Sequence, residues 1–133
     1  MIDVRVLIVE DEPHLAGLLS RAFVQEGWQA VVARNGIEGL NQVAAFRPDV
    51  IVMDVMMPKL DGIDATRLIR RNPGHDRTAI VALSARHDGA ARAEMLAAGA
   101  DLYLEKPFVM SRLVGQAADA LAARRVHAGK DVT

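Results

Sequence analysis

A single α/β domain, with a parallel sheet covered by helices on both faces, is the fold class this sequence predicts. Three observations carry it: short and nearly continuous runs of Val, Ile and Leu, helix-spaced apolar stripes between them, and a length of 133 residues. Strands buried on both faces lose the alternation of half-exposed ones, and Val4–Val9, Val50–Met53 and Ala79–Leu83 have that character.

The first of these runs leads into Asp11-Glu12-Pro13, which sets acidic residues and a proline at a helix start. Leu15, Leu18, Leu19, Ala22 and Phe23 make that helix amphipathic, and Gly27 is positioned to end it. A weaker strand follows at Trp28–Ala33, then a helix from about Gly36 to Phe46 that stops before Pro48. After the strand Val50–Met53, the third helix runs from about Gly62 to Arg71, up to the breaker Asn72-Pro73-Gly74. The strand Ala79–Leu83 precedes a short alanine-rich helix at roughly Gly89–Ala98, whose large apolar residues are Met95 and Leu96. Few large contacts predict low local stability there. A weak fifth strand, Ala100–Leu104, leads to a last helix with Met110, Leu113, Val114, Ala117 and Leu121 on one stripe. The domain is expected over residues 1–125, with 126–133 a short, polar, frayed tail. Five alternations joined by right-handed crossovers give a doubly wound, flavodoxin-like three-layer sandwich of strand order 2-1-3-4-5.

Composition narrows the function classes. Hydrophobic residues are 51% and charged residues 25%, enough for a core and without a disorder signature. A net charge of −1 gives no global attraction to nucleic acid or anionic membrane. Cysteine is absent, which excludes disulfides and thiolate metal sites and fits a reducing, cytoplasmic setting. The N-terminus lacks a signal-peptide pattern, and no apolar stretch approaches the roughly 18 residues of a membrane span.

Asp54 is the residue that points to chemistry. It closes a buried strand with a carboxylate, at the strand-to-loop junction where open parallel sheets bind ligands. With strand order 2-1-3-4-5, Glu10 and Asp11 leave the neighbouring first strand and meet it. Three carboxylates so close repel one another unless a cation lies among them, and oxygen-only ligands favour a hard ion such as Mg²⁺. Ser84 and Lys106 stand at the ends of the fourth and fifth strands, facing the same crevice. A metal, a hydroxyl and an ammonium around one carboxylate suit a phosphoryl group.

Glu10-Asp11, the run from Val52 to Pro58 with Asp61-Gly62, Ser84-Ala85, and Tyr103 followed by Lys106-Pro107-Phe108 resemble the receiver domain of two-component response regulators. The resemblance covers about residues 4–125 and is similar to the single-domain chemotaxis type. It implies that Asp54 takes a phosphoryl group from a histidine kinase or a histidine phosphotransfer protein. It implies Mg²⁺, with Mn²⁺ as a substitute, held by Asp11, Asp54 and the Met56 backbone carbonyl, and by Glu10 through water. Lys106 and Ser84 are expected on phosphoryl oxygens, Tyr103 as the switch aromatic that turns inward when Ser84 moves toward the phosphate, and the Lys106-Pro107 bond as cis. Such a domain assists its own phosphorylation and dephosphorylation and is not otherwise an enzyme. Glu10 and Ser84 stand where the family more often has Asp and Thr, with the chemistry preserved. Met56 and Arg86, two residues beyond Asp54 and Ser84, are expected to screen attacking water and so to set phosphoryl lifetime. Output is expected through the face of the fourth helix, fifth strand and fifth helix, which also supports a homodimer, toward a protein target or output domain. Direct DNA contact is not expected, and the Met1 start with its short tail favours a free-standing receiver.

Other features have plainer readings. His14, His75, His87 and His127 show no ligand spacing, Trp28 caps the core edge, and Asp61-Gly62 is a turn and helix start, not a calcium loop. Arg67, Arg70, Arg71, Arg124 and Arg125 read as solvated charge at helix ends. A flavin- or nucleotide-binding protein lacks its glycine-rich phosphate cradle here, and an aspartyl phosphatase lacks its second carboxylate, since Met56 occupies that position. A receiver-like interaction domain that works without phosphorylation remains a further alternative.

Overall fold

The computed structural model describes residues 3–131. Five parallel strands form one sheet: β1 (Arg5–Val9), β2 (Gln29–Ala33), β3 (Val50–Asp54), β4 (Ala79–Ser84) and β5 (Leu102–Glu105), in the order β2-β1-β3-β4-β5. Every residue of β3 and β4 is buried, whereas β2 and β5 are the edges, which explains why their sequences carry weaker apolar signals. Between the strands run α1 (Pro13–Gln25), α2 (Gly36–Phe46), α3 (Gly62–Arg70), α4 (Gly89–Ala98) and α5 (Met110–Asp131). A short 3₁₀ turn, Pro73–His75, follows α3.

Two cores fill the sandwich. Leu7, Val9, Ile51, Met53, Ile80 and Ala82 face α2, α3 and α4, while Val6, Ile8, Val50, Val52, Val81 and Leu83 face α1 and α5. This is the period of two along each strand. Leu19 and Phe23 from α1 meet Leu113, Ala117 and Leu121 from α5, and Trp28 packs against Phe23 at the edge of that core, ring centroids 4.9 Å apart and planes tilted by 53°.

Caps explain the helix limits. Glu12 accepts from the backbone N–H groups of His14 and Leu15, with Pro13 following it. Gly27, at φ 87°, closes α1 with the paired bonds Trp28 N–H to Phe23 O and Gly27 N–H to Val24 O. Asp61 caps α3 through Asp64 N–H at 2.9 Å. Gly62 is required for a different reason: a Cβ there collides with the backbone carbonyl of Asp54. Because the obstacle is backbone, Gly62→Ala is expected to cost on the order of 2 kcal/mol, read as a lowered urea midpoint.

Two expectations are corrected. Arg70, read as solvated, is a half-buried fork that donates to Gly99 O (3.0 Å), His75 O (2.9 Å), Thr78 O (2.8 Å) and Asp101 (3.0 Å). The last residue of α3 faces carbonyls at the N-terminal ends of β4 and β5, a juxtaposition that helix spacing does not reveal. Arg124 likewise reaches Asp101 and Asp76 O, and Arg125 pairs with Asp49 at 2.6 Å. Arg67 and Arg71 are exposed, as expected. The segment expected to fray continues α5 to Asp131, since no proline interrupts it and one glycine costs only about 1 kcal/mol in a helix. Val132 and Thr133 lie outside the described residues.

Candidate functional site

The C-terminal ends of β1, β3, β4 and β5 gather the site. Pairing of β1 with β3 aligns Val9 with Met53, so the residues that follow, Glu10 and Asp54, emerge side by side. One carboxylate oxygen from each of Glu10, Asp11 and Asp54 lies within 4.8 Å of the others. Glu10 and Asp54 are buried, 2% and 5% exposed, while Asp11 opens to solvent. Lys106, one residue past β5, places its Nζ 3.0 Å from Glu10 Oε1 and 3.6 Å from Asp54 Oδ1. The Lys106-Pro107 peptide is cis, and Lys106 N–H donates to Ser84 O at 2.7 Å.

Three carboxylates against one ammonium leave the cluster anionic. Burial above all, then the charge of Glu10, pushes the Asp54 carboxyl from its ordinary 3.8 up to about 7, with Lys106 acting in opposition. Burial pulls the Lys106 ammonium down, but its hydrogen bond to Glu10 and the charges of Asp54 and Glu10 outweigh that, holding it above its ordinary value. All donors are hard oxygens, one is exposed for entry, and Lys106 compensates the anionic form of Asp54 only in part. The residues present therefore fit a divalent cation.

Ser84 ends β4 fully buried, and its Oγ accepts from Arg86 N–H at 3.0 Å. Tyr103 is 4% exposed, and its hydroxyl donates to Arg86 O at 3.1 Å. A single residue's backbone thus joins the two expected switch side chains. Met56 N–H donates to Asp54 Oδ1 at 3.3 Å, and its side chain is exposed. Met56 and Arg86 both line a cleft of about 400 Å³ with Val55, Met57, Pro58 and Ile63, next to the end of β3. The direct Glu10–Lys106 ion pair and the Arg86 backbone link are features that sequence reading missed. Neither leaves a signal in residue spacing.

A strand-end cluster of carboxylates with a lysine beside it suits a signalling domain of the receiver class, and the comparisons give the family. The family model described as the response regulator receiver domain matches residues 6–118. The chain belongs to the response regulator receiver family of two-component signalling, whose general function is phosphoryl acceptance. It is 39% identical over 113 residues to the response regulator MprA of Mycobacterium bovis, covering 85% of this chain and 48% of that protein. MprA of Mycobacterium avium is 38% identical over 112 residues. The chain spans about half the length of these curated relatives. Among solved structures, the receiver domain of Francisella response regulator 1452 aligns with TM-score 0.82 and 31% identity, covering 91% of this chain and 98% of that one. The chemotaxis response regulator CheY4 of Vibrio cholerae aligns with TM-score 0.84 and 28% identity, covering 90% and 100%. No helix among the described residues is long and apolar enough to cross a membrane.

Proposed function

We propose that Asp54 accepts a phosphoryl group from the phosphohistidine of a histidine kinase or phosphotransfer protein, in a Mg²⁺-dependent reaction, and that the domain over residues 1–125 then changes its α4-β5-α5 surface to control a partner or output domain. One observation carries this reading: a buried carboxylate at a strand end, with Glu10 and Asp11 around it and the Lys106 ammonium 3.6 Å away. An Asp54 oxygen attacks phosphorus as the donor's N–P bond breaks, and the imidazole nitrogen leaves with the bonding pair, giving an acyl phosphate. Asp11, Asp54 and the Met56 carbonyl would hold Mg²⁺, with Glu10 acting through water, and the ion supplies charge neutralisation between two anionic reactants. Lys106 is within reach of a second phosphoryl oxygen, and Ser84 binds another once it releases Arg86 N–H. Tyr103 responds to that release because Arg86, freed at its N–H, holds the tyrosine hydroxyl through its carbonyl. Met56 and Arg86 flank the approach of hydrolytic water. The lack of cysteine supports a cytoplasmic setting.

The test is incubation with a small acyl phosphate and Mg²⁺. One phosphoryl group, labile to base, is expected by intact-mass measurement, with no gain in chelator. No gain with metal present would sink the reading. Metal binding offers a separate check: Asp11→Asn is expected to weaken Mg²⁺ affinity about tenfold or more, by calorimetry. Unchanged affinity would count against Asp11 as a ligand.

A further inference from the structure

We propose that Arg92, carried by α4, is the positioning residue that holds Tyr103 in its inward seat, so that displacement of α4 and rotation of the ring are one event. The proposal rests on reading Tyr103 as the aromatic that responds to phosphorylation. Tyr103 lies on an edge strand, yet it is 4% exposed. Two grips keep it there. Its hydroxyl donates to Arg86 O in the β4–α4 loop, and the Arg92 guanidinium carbon sits over the ring face, 5.9 Å from its centroid. A cation over an aromatic face is attracted by the ring's negative π surface.

Among the described residues no carboxylate lies within ion-pair distance of Arg92. Asp88, the acid at the start of α4, is taken by a two-pronged bond to Arg86 and by the helix cap. Arg92 itself is exposed, but it follows buried Ala91 and precedes buried Met95, so its backbone is seated while its side chain lies across the gap to β5. Arg86 and Arg92 both lie downstream of Ser84, one in the loop and one in the helix. A shift of the loop toward the acceptor site draws on both grips together. An exposed cation–π contact of this kind changes the inward-to-outward ratio of the ring by about two- to fivefold.

Tyr103 is the only tyrosine of the chain, so 3-fluorotyrosine labelling gives a single ¹⁹F resonance from the intact protein. In Arg92→Met that resonance is expected to move toward the solvent-exposed position, with a larger shift on changing H₂O for D₂O. Arg92→Lys, which keeps the cation, is expected to stay near wild type. An unmoved resonance in Arg92→Met overturns the proposal, as does an equal displacement in both variants, which would mark packing and not charge. Acyl phosphate and Mg²⁺ are then added, with phosphorylation followed by mass. A wild-type resonance that ignores a confirmed phosphoryl group overturns Tyr103 as the switch, while the comparison of methionine with lysine still decides what Arg92 holds.

Discussion

Asp54→Asn is expected to abolish phosphoryl labelling and, in metal-free buffer at pH 8, to raise the melting temperature. The loss follows from removing the nucleophile, since an amide oxygen forms no stable acyl phosphate. The gain follows from linkage. The folded protein raises the Asp54 carboxyl from 3.8 to about 7, so folding takes up a proton between those values. Stability from this group is therefore full below about pH 4 and is lost as pH rises through about 7. The loss is at most about 4 kcal/mol at pH 8. Half of that is worth about 6 °C in a domain of this size. Asn carries no charge, so the gap between variant and wild type should shrink as pH falls from 8 to 5. Mg²⁺ should shrink it as well, by stabilising the wild type more than the variant. A variant that melts at or below wild type at pH 8 without metal would show that the buried charge is compensated in some other way.

Arg70→Met is expected to be the most damaging substitution away from the acceptor site. It leaves Gly99, His75 and Thr78 carbonyls without their donor and removes one partner of Asp101. Breaking a half-buried pair that also satisfies backbone acceptors costs about 3 kcal/mol, or roughly 10 °C. Arg70→Lys should recover only part, because one ammonium cannot reproduce a planar fork aimed at several acceptors. A loss under about 0.5 kcal/mol in chemical denaturation would show these bonds to be replaceable by water.

How much of this was legible in the sequence depends on whether a feature is local. Val50–Met53 and Ala79–Leu83 declare themselves as central strands because burial on both faces leaves no polar position. The juxtaposition at the candidate site is legible in the sequence as well: Glu10, Asp54 and Ser84 sit where strands end, and strand order alone brings those ends together. The strand at Ala100–Leu104 was placed too early, since Gly99 and Ala100 N–H groups still belong to the end of α4. Arg70 escapes the reading because three of its four acceptors are backbone carbonyls that any residue type could provide, and Gly99 and Asp101 lie about 30 residues away. Backbone links such as Ser84–Arg86–Tyr103 are invisible for that reason too. Chemistry written in side-chain identity can be read from the chain, but chemistry borne by the peptide unit needs coordinates.

The Arg70 fork also has a mechanical meaning. It clamps the trailing end of α4 through the Gly99 carbonyl, while the leading end hangs from the exposed loop Ala85–Asp88. Ten residues make a rod of roughly 15 Å, seated on only Ala91, Met95 and Ala98. Such a rod behaves as a lever whose fulcrum is remote from Asp54. A tilt of about 10° over that length carries the Asp88 end roughly 2.5 Å and leaves Gly99 almost still. Amide exchange should accordingly slow from Arg92 toward Ala98, and a uniform rate along the helix would remove the fulcrum. The Arg70 clamp thus sets which end of the helix is the less restrained.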